Sequence, residues 1–89
     1  MGVQEDFEKA AEEASNVIPS NITNDEKLAL YGLFKQAKFG DNTAAKPGIL
    51  DIQGRKKWFA WEEHKGKDSE TAMKEYIAKV EELKAIYCT

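Results

Sequence analysis

The stretch TNDEKLALYGLFKQAKFG, residues 23–40, decides the fold that we predict for this chain. It opens on Thr23, and Glu26 follows at the spacing of a capping box. In that arrangement the threonine hydroxyl accepts from the backbone N–H of residue 26, while the glutamate carboxylate accepts from the N–H of Thr23. The stretch closes on Gly40, a residue that can adopt the left-handed conformation that ends helices. These signals predict a helix that runs from the Thr23 cap to about Phe39.

This helix carries two stripes and therefore needs two partners. Plotted at 100° per residue, the first stripe is apolar and suits a protein core, whereas the second alternates aliphatic, aromatic and cationic groups. An amphipathic ligand would suit the second stripe, since rings can stack on a planar base and ammonium groups can meet phosphates. A simpler interpretation is an exposed tyrosine flanked by lysines that extend to solvent. The first stripe is Leu30, Leu33 and Ala37; the second is Leu28, Tyr31, Lys35 and Lys38, with Phe34 on the boundary.

Three further helices are predicted on either side of this one. Helix one spans about Gln4–Ile18 and presents a stripe that is mostly alanine, so its partner must approach closely. A loop covers Gly40 to about Leu50, and helix three covers about Asp51–His64, with Asp51 as its N-cap or as an acid in its first turn. Helix four begins around Asp68–Ser69, and its outer faces carry the i,i+4 pairs Glu70–Lys74 and Glu75–Lys79. The pattern predicts an all-α fold in which four helices form one bundle.

Length and composition limit the chain to one domain and point to no membrane span. The 89 residues, 42% hydrophobic and 33% charged, fit a single soluble unit over residues 1–89. No apolar segment resembles a signal peptide or a membrane-spanning helix, so we expect no stable membrane insertion. The single cysteine, Cys88, excludes an intrachain disulfide and favours a reducing, cytoplasmic location.

The charge is distributed unevenly along the chain. The formal net charge is −3, but residues 27–67 hold nine bases and four acids, a local net charge of +5. A basic middle segment in an acidic protein argues against nucleic-acid binding and allows a smaller phosphorylated anion. Part of this segment is Arg55-Lys56-Lys57, directly before Trp58 and one turn before Trp61. At this spacing we expect both tryptophans in the core.

No catalytic or metal-binding constellation is visible. His64 is a lone histidine beside two glutamates, and the serines lack a plausible base and orienting acid. No Cys/His group has metal-ligand spacing. We therefore expect no enzyme activity, no metal and no cofactor.

Four separated motifs stand out along the chain: residues 30–37 with Gly40-Asp41, residues 46–48, residues 54–61 and residues 72–77. In order and over nearly the whole chain, they resemble those of the acyl-CoA-binding protein family. The resemblance implies a skewed four-helix bundle with up-down-down-up topology that binds, buffers and transports medium- to long-chain fatty acyl-CoA. It implies a monomer whose partners are fatty acyl-CoA and the enzymes that use it.

The resemblance also implies a ligand-binding site. Tyr31, Lys35, Lys57 and Tyr76 would line the site for the adenosine 3′-phosphate and adjoining groups of CoA. Leu28 and the helix-one alanines, including Ala11, would border the acyl chain. The sequence departs from the family at Phe34, where relatives usually have tyrosine, and at Ser15 and Gln53, which are often basic in relatives. We expect these departures to alter chain-length preference or weaken the electrostatic attraction, with binding retained.

Two other functions remain open on the sequence alone. A helical protein-interaction module would use the mixed stripe of helix two to dock a partner helix, and it would bind no ligand. An enzyme that uses acyl-CoA, or a subunit of one, would need a catalytic group that the sequence does not offer.

Overall fold

The computed structural model describes residues 2–88, and within this range the chain forms four α-helices and no strand. They are α1 (Val3–Asn16), α2 (Asn24–Phe39), α3 (Ile52–Glu62) and α4 (Ser69–Tyr87). The all-α prediction is confirmed. Helix one ends two residues earlier than predicted, and Ile18, which was placed on its stripe, lies buried in the connection to α2.

The predicted caps set where the helices begin and end. The Thr23 hydroxyl accepts from the Glu26 N–H at 3.1 Å, and the Glu26 carboxylate accepts from the Thr23 N–H at 2.9 Å, so the capping box is confirmed. Asp51 caps α3 by accepting from the Gly54 N–H at 3.0 Å. Gly40 ends α2 with a positive φ of 77°, a conformation that costs a residue with a Cβ considerably more.

Contacts at the helix ends establish the direction of each helix. α1 and α4 run in parallel, since Phe7 contacts Tyr76 near their starts and Glu13 pairs with Lys84 near their ends. α2 runs against α4, because the Ser69 hydroxyl at the start of α4 donates to the carbonyl of Ala37 at the end of α2.

α2 and α3 run side by side in the same direction. Leu28 lines a cleft together with Lys56, and Gly32, one turn further along α2, meets Ala60, one turn further along α3. The bundle therefore has the up-down-down-up topology that the resemblance implies. Among the described helices, α4 packs against α1 and α2, whereas α3 packs against α2 alone.

The core lies between α1, α2 and α4. Ala72, Val80 and Leu83 of α4 have no exposed surface, so α4 is the centre of the bundle. The buried apolar side chains of this core are Phe7, Ala10, Ile18, Ile22, Leu33, Ala37, Ala72, Met73, Tyr76, Val80 and Leu83.

Because α2 and α3 run in the same direction, a long crossover must connect the end of α2 to the start of α3. Residues 40–51 form this crossover and run back along α3. Three side chains of α3 donate to carbonyls of this crossover: Trp61 Nε1 to Gly40 at 2.8 Å, Trp58 Nε1 to Ala44 at 2.8 Å, and Arg55 Nη1 to Pro47 at 3.1 Å. The prediction that both tryptophans belong to the core is wrong. Each is only half-buried, because its indole N–H must reach a loop carbonyl and its ring therefore lies under the crossover.

One of the two predicted ion pairs on α4 forms. Lys74 lies 3.6 Å from Glu70 as expected. The Glu75–Lys79 pair does not form, because Lys67, in the turn before α4, pairs with Glu75 and Lys79 pairs with Glu82. None of the helices in the described range is long and apolar enough to cross a membrane.

Candidate functional site

The close approach of α2 and α3 is possible only because α2 carries a glycine at the contact. A Cβ at Gly32 would lie 2.1 Å from the carbonyl oxygen of Ala60. Without it, the two backbones approach until side chains on either side of the contact, Tyr31 and Lys35 on α2 and Lys57 on α3, come together. The glycine therefore creates the geometry of the site.

A cationic cluster, defined here as Tyr31, Lys35 and Lys57, forms the centre of the site. The Lys35 Nζ lies 5.7 Å from the centroid of the Tyr31 ring, and the Lys57 Nζ lies at the same distance of 5.7 Å from that ring. Lys35 also lies 4.9 Å from the ring of Phe39 and 5.4 Å from that of Trp61. Aromatic rings attract ammonium groups through their negative faces, which holds both lysines beside the Tyr31 ring.

Within residues 2–88, neither cation of the cluster has an acidic partner. Among the described residues no carboxylate forms an ion pair with Lys35 or Lys57, whereas Lys67, Lys74, Lys79 and Lys84 are all paired. Two like charges that share one ring raise the local positive potential. An anion between the two ammonium groups would be stabilised by both, and the Tyr31 ring offers it a stacking surface beside the charge.

A second aromatic group adjoins the cluster one turn further along α2. The ring of Phe34 lies 5.6 Å from that of Phe7 and 5.9 Å from that of Tyr76. Tyr76 is almost fully buried, and burial raises the pKa of its hydroxyl, so this group is neutral at physiological pH. Phe34 stays half-buried and carries the Lys38 Nζ at 5.6 Å from its ring. The structure thus places the predicted residues Phe34 and Tyr76 in a mostly apolar cluster beside the cations.

An apolar cleft of about 600 Å³ opens between α2 and α3. Leu28 lies in its wall. The charged side chains stand around a mainly aliphatic and aromatic lining. The lining residues are Asp25, Leu28, Ala29, Ile49, Ile52, Arg55, Lys56, Phe59, Ala60 and Glu63.

The cleft and the cationic cluster are adjacent along α2. Leu28 and Tyr31 are one helical turn apart, a rise of about 4.5 Å, and Lys35 follows one turn later. On α3, Lys56 lines the cleft while its neighbour Lys57 contacts Tyr31. A ligand that extends along α2 would pass from an apolar environment to a cationic one within a few ångströms.

Two predicted residues lie away from this arrangement. Ala11 is half-buried on α1 against the core and is not part of the cleft lining. Gln53 is exposed on the first turn of α3, one turn before Lys57 and on the same face. The structure therefore brings Tyr31, Lys35 and Lys57 together directly, with Leu28 in the adjoining cleft and Phe34 and Tyr76 beside them.

Sequence reasoning missed several residues of the site. Phe39 contacts Lys35 although its side chain is 63% exposed, and Ile49, Ile52 and Phe59 line the cleft with large exposed surfaces. The signal that the sequence offered was the presence of large apolar residues in α3 and in the turn before it. Helical periodicity could not find Ile49, because this residue lies in the turn before α3.

Metal-binding groups do not assemble in the described part of the chain. No group of three His, Cys, Asp or Glu side chains in residues 2–88 could hold a metal ion. Burial, and next the nearby Lys67 charge, lower the pKa of His64, whose Nδ1 lies 3.0 Å from the Lys67 Nζ. That histidine therefore stays neutral at physiological pH.

Comparison with known protein families gives a match over most of the chain. Residues 4–80 match the family described as acyl CoA binding protein. The acyl-CoA-binding protein homolog of Drosophila melanogaster is 52% identical over 85 residues, which cover 96% of this chain and 98% of the relative. The acyl-CoA-binding domain-containing protein 2 of Oryza sativa subsp. japonica is 49% identical over 83 residues, which cover 93% of this chain and 90% of the relative.

Solved structures give the same result for the fold. The crystal structure of Oryza sativa acyl-CoA-binding protein 2 superposes with a TM-score of 0.90 at 47% identity, and the superposition covers 96% of this chain and 93% of that one. The solution structure of an acyl CoA binding protein from Babesia bovis superposes with a TM-score of 0.81 at 34% identity over the full length of both chains. The helix arrangement is thus shared with one structure at 47% identity and with another at 34% identity.

Proposed function

The chain belongs to the acyl-CoA-binding protein family, and we propose that it binds medium- to long-chain fatty acyl-CoA thioesters non-covalently, buffering and transporting them in the cytoplasm. The observation that carries this proposal is the adjacency of an unpaired cationic cluster and an apolar cleft on consecutive turns of α2. Acyl-CoA has two parts that match these two surfaces, since its phosphorylated nucleotide head is joined to a hydrocarbon tail.

The cationic cluster would recognise the head of the ligand. Lys35 and Lys57 would bind the 3′-phosphate through charge-assisted hydrogen bonds, while Tyr31 offers a ring to the planar base. Phe34 would extend the aromatic surface with the buried Tyr76 packed against it, and Gln53 would stand at the edge with a neutral amide. Recognition of the head would distinguish acyl-CoA from a free fatty acid, because a free fatty acid lacks every group that the cluster recognises.

The cleft would hold the first part of the tail and supply most of the affinity. Each methylene removed from water contributes about 0.8 kcal/mol, so a long tail contributes on the order of 10 kcal/mol before ordering costs. Leu28, Ile52 and Phe59 would contact the tail near the thioester, and Ala11 would lie further along its path. Free CoA has no acyl tail, so it would lack this contribution to the binding free energy and would bind much more weakly.

We propose a binding role without catalysis. The family is described by binding, and no nucleophile with a base accompanies the cleft in the described residues. The ligand would be acyl-CoA itself, with no separate cofactor and no nucleic acid. A monomeric domain spanning residues 1–89 would protect the thioester and deliver it to enzymes that use it.

Titration calorimetry of the purified chain tests this proposal. Palmitoyl-CoA, CoA and palmitate are titrated separately at a concentration below that at which palmitoyl-CoA forms micelles. We expect one-to-one binding of the thioester that is at least a hundredfold tighter than that of either fragment. Absence of binding by all three would reject the proposal and favour the alternative, a helical protein-interaction module.

A further inference from the structure

The turn before α3 places large aliphatic side chains where polar ones are usual. The Asp51 N–H donates to the Gly48 carbonyl at 3.0 Å, which closes a turn with Ile49 and Leu50 at its two central positions. Turn positions are dominated by Gly, Pro, Asn, Asp and Ser, because these residues fit the turn backbone or hydrogen-bond to it. Ile49 is nevertheless 79% exposed and Leu50 93% exposed, and Ile52, at the start of α3, is 66% exposed.

Ligand binding explains only part of this apolar surface. Ile49 and Ile52 line the cleft, so a bound tail would cover some of their area. Leu50 does not line the cleft and has no place in the core. It is the most exposed of the large apolar side chains in the described residues, and the proposed function gives it no role.

Cations surround this turn. The Lys46 Nζ lies 5.1 Å from the ring of Phe59, and the Arg55 guanidinium carbon lies 5.8 Å from the same ring. Neither of these cations, nor Lys56, forms an ion pair among the described residues. Residues 46–57 hold four bases and one acid, a local net charge of +3 in a chain whose net charge is −3.

We propose that this turn surface, defined as Lys46, Ile49, Leu50, Ile52, Arg55 and Lys56, docks reversibly on an anionic lipid bilayer. Exposed aliphatic side chains flanked by Lys and Arg are the combination that binds the interface of a membrane with anionic lipids. The protruding turn fits a fluid bilayer better than a protein partner, since protein interfaces depend on aromatic and arginine anchors seated in complementary pockets. Few side chains insert, so the docking is peripheral and reversible.

Docking at this surface would place the mouth of the cleft against the membrane. An acyl tail could then move between bilayer and cleft with little of its surface exposed to water. This role in ligand transfer rests on the proposed function, whereas the docking itself can be measured without any ligand.

Co-sedimentation with vesicles tests the docking. The ligand-free full chain is mixed with large vesicles of phosphatidylcholine alone, or of three parts phosphatidylcholine to one part phosphatidylglycerol. We expect binding to the anionic vesicles that weakens several-fold with phosphatidylcholine alone and again as salt is raised. If the wild-type chain binds neither vesicle, the proposal is wrong and the turn is better explained as a contact with a protein.

A matched pair of variants assigns the binding to the turn. Leu50→Asp should lower the vesicle affinity about tenfold or more, since it removes an inserting side chain and adds a repelled charge. Ile86→Asp is the control: Ile86 is also an exposed aliphatic residue, 57% exposed, but it lies in the acidic segment 68–89. Equal loss in both variants, or in neither, would overturn the assignment.

The two proposals fail in different ways. In vesicle-free buffer Leu50→Asp should bind palmitoyl-CoA as tightly as wild type, because Leu50 is outside the cleft lining. A chain that binds anionic vesicles but no palmitoyl-CoA would reject the proposed function and leave the docking intact.

Discussion

The two sides of α2 that face other helices differ in the groups that they present. Towards α4, Leu33 and Ala37 are buried in the core, and the buried Gln36 donates from Nε2 to the Lys67 carbonyl at 2.7 Å, while its Oε1 accepts no hydrogen bond among the described residues. Towards α3, the backbones meet at Gly32, but within the described part of the chain the ammonium groups of Lys35 and Lys57 have no acidic partner. One helix thus joins a surface that stabilises the fold to a surface prepared for a ligand.

This difference teaches that stability and binding can be altered separately in this protein. Substitutions on the α4 side should lower the free energy of unfolding, while substitutions of the charged groups on the α3 side should lower affinity with little effect on stability. Gly32 is the exception, because it sets the distance between the two helices that hold the site.

The largest expected effect is on the α4 side, at Leu83→Ala. Leu83 has no exposed surface, and truncating such a side chain removes buried area and leaves a cavity. We expect a loss of about 2–5 kcal/mol in the free energy of unfolding, measured by urea denaturation followed by circular dichroism. Leu50→Ala, at a position that is 93% exposed, is the control and should change stability little. A similar loss in both variants would contradict the assignment of the core.

Gly32→Ala tests the contact between α2 and α3. The added Cβ would lie 2.1 Å from the Ala60 carbonyl oxygen, so the helices must move apart. Overpacking of this kind costs about 1–3 kcal/mol, and acyl-CoA affinity should fall as well, because the cationic cluster spans both helices. The control is Gly48→Ala, where a Cβ meets nothing within 4 Å. If Gly32→Ala keeps both stability and affinity, the close approach is not what builds the site.

The smallest expected effect concerns a hydrogen bond at the far end of the α2–α4 pair. The Tyr87 hydroxyl donates to the Glu26 carboxylate at 2.7 Å, and this bond, with the Thr23 N–H, lowers the pKa of Glu26 below its ordinary 4.5. A lowered folded-state pKa adds stability above the unfolded pKa and loses it as the pH falls through the folded value. Tyr87→Phe should therefore flatten the decline of stability below about pH 4.5. Unfolding midpoints measured from pH 7 to pH 3 would show this, and an unchanged slope would exclude the bond as a contributor.

The sequence predicted the parts of this structure that depend on local chemistry. The capping box at Thr23, the cap at Asp51 and the two stripes of α2 all follow from side chains within one or two turns of each other. Part of the cationic cluster could be anticipated for the same reason, since Tyr31 and Lys35 are neighbours on one face.

Features that depend on the path of the crossover could not be predicted in this way. The indole groups of Trp58 and Trp61 donate to carbonyls of residues 40–44, a contact that helical periodicity does not encode. Lys67 pairs with Glu75 because the turn before α4 brings it there, which displaces the expected partner Lys79. Ile49 was missed as a wall residue of the cleft. A backbone hydrogen bond closes the turn that positions it, and helical periodicity does not encode such a bond.

The most direct test of the central claim is calorimetric titration of palmitoyl-CoA into the double variant Lys35→Ala/Lys57→Ala, with urea unfolding of the same preparation. The control is Lys74→Ala, which removes a surface lysine paired with Glu70 on α4. The account predicts that the double variant loses about a hundredfold in affinity, as expected for two charge-assisted hydrogen bonds, while its unfolding midpoint and the affinity of the control stay near wild type. Wild-type affinity in a folded double variant would contradict the claim that the unpaired lysines between α2 and α3 form the head-group site.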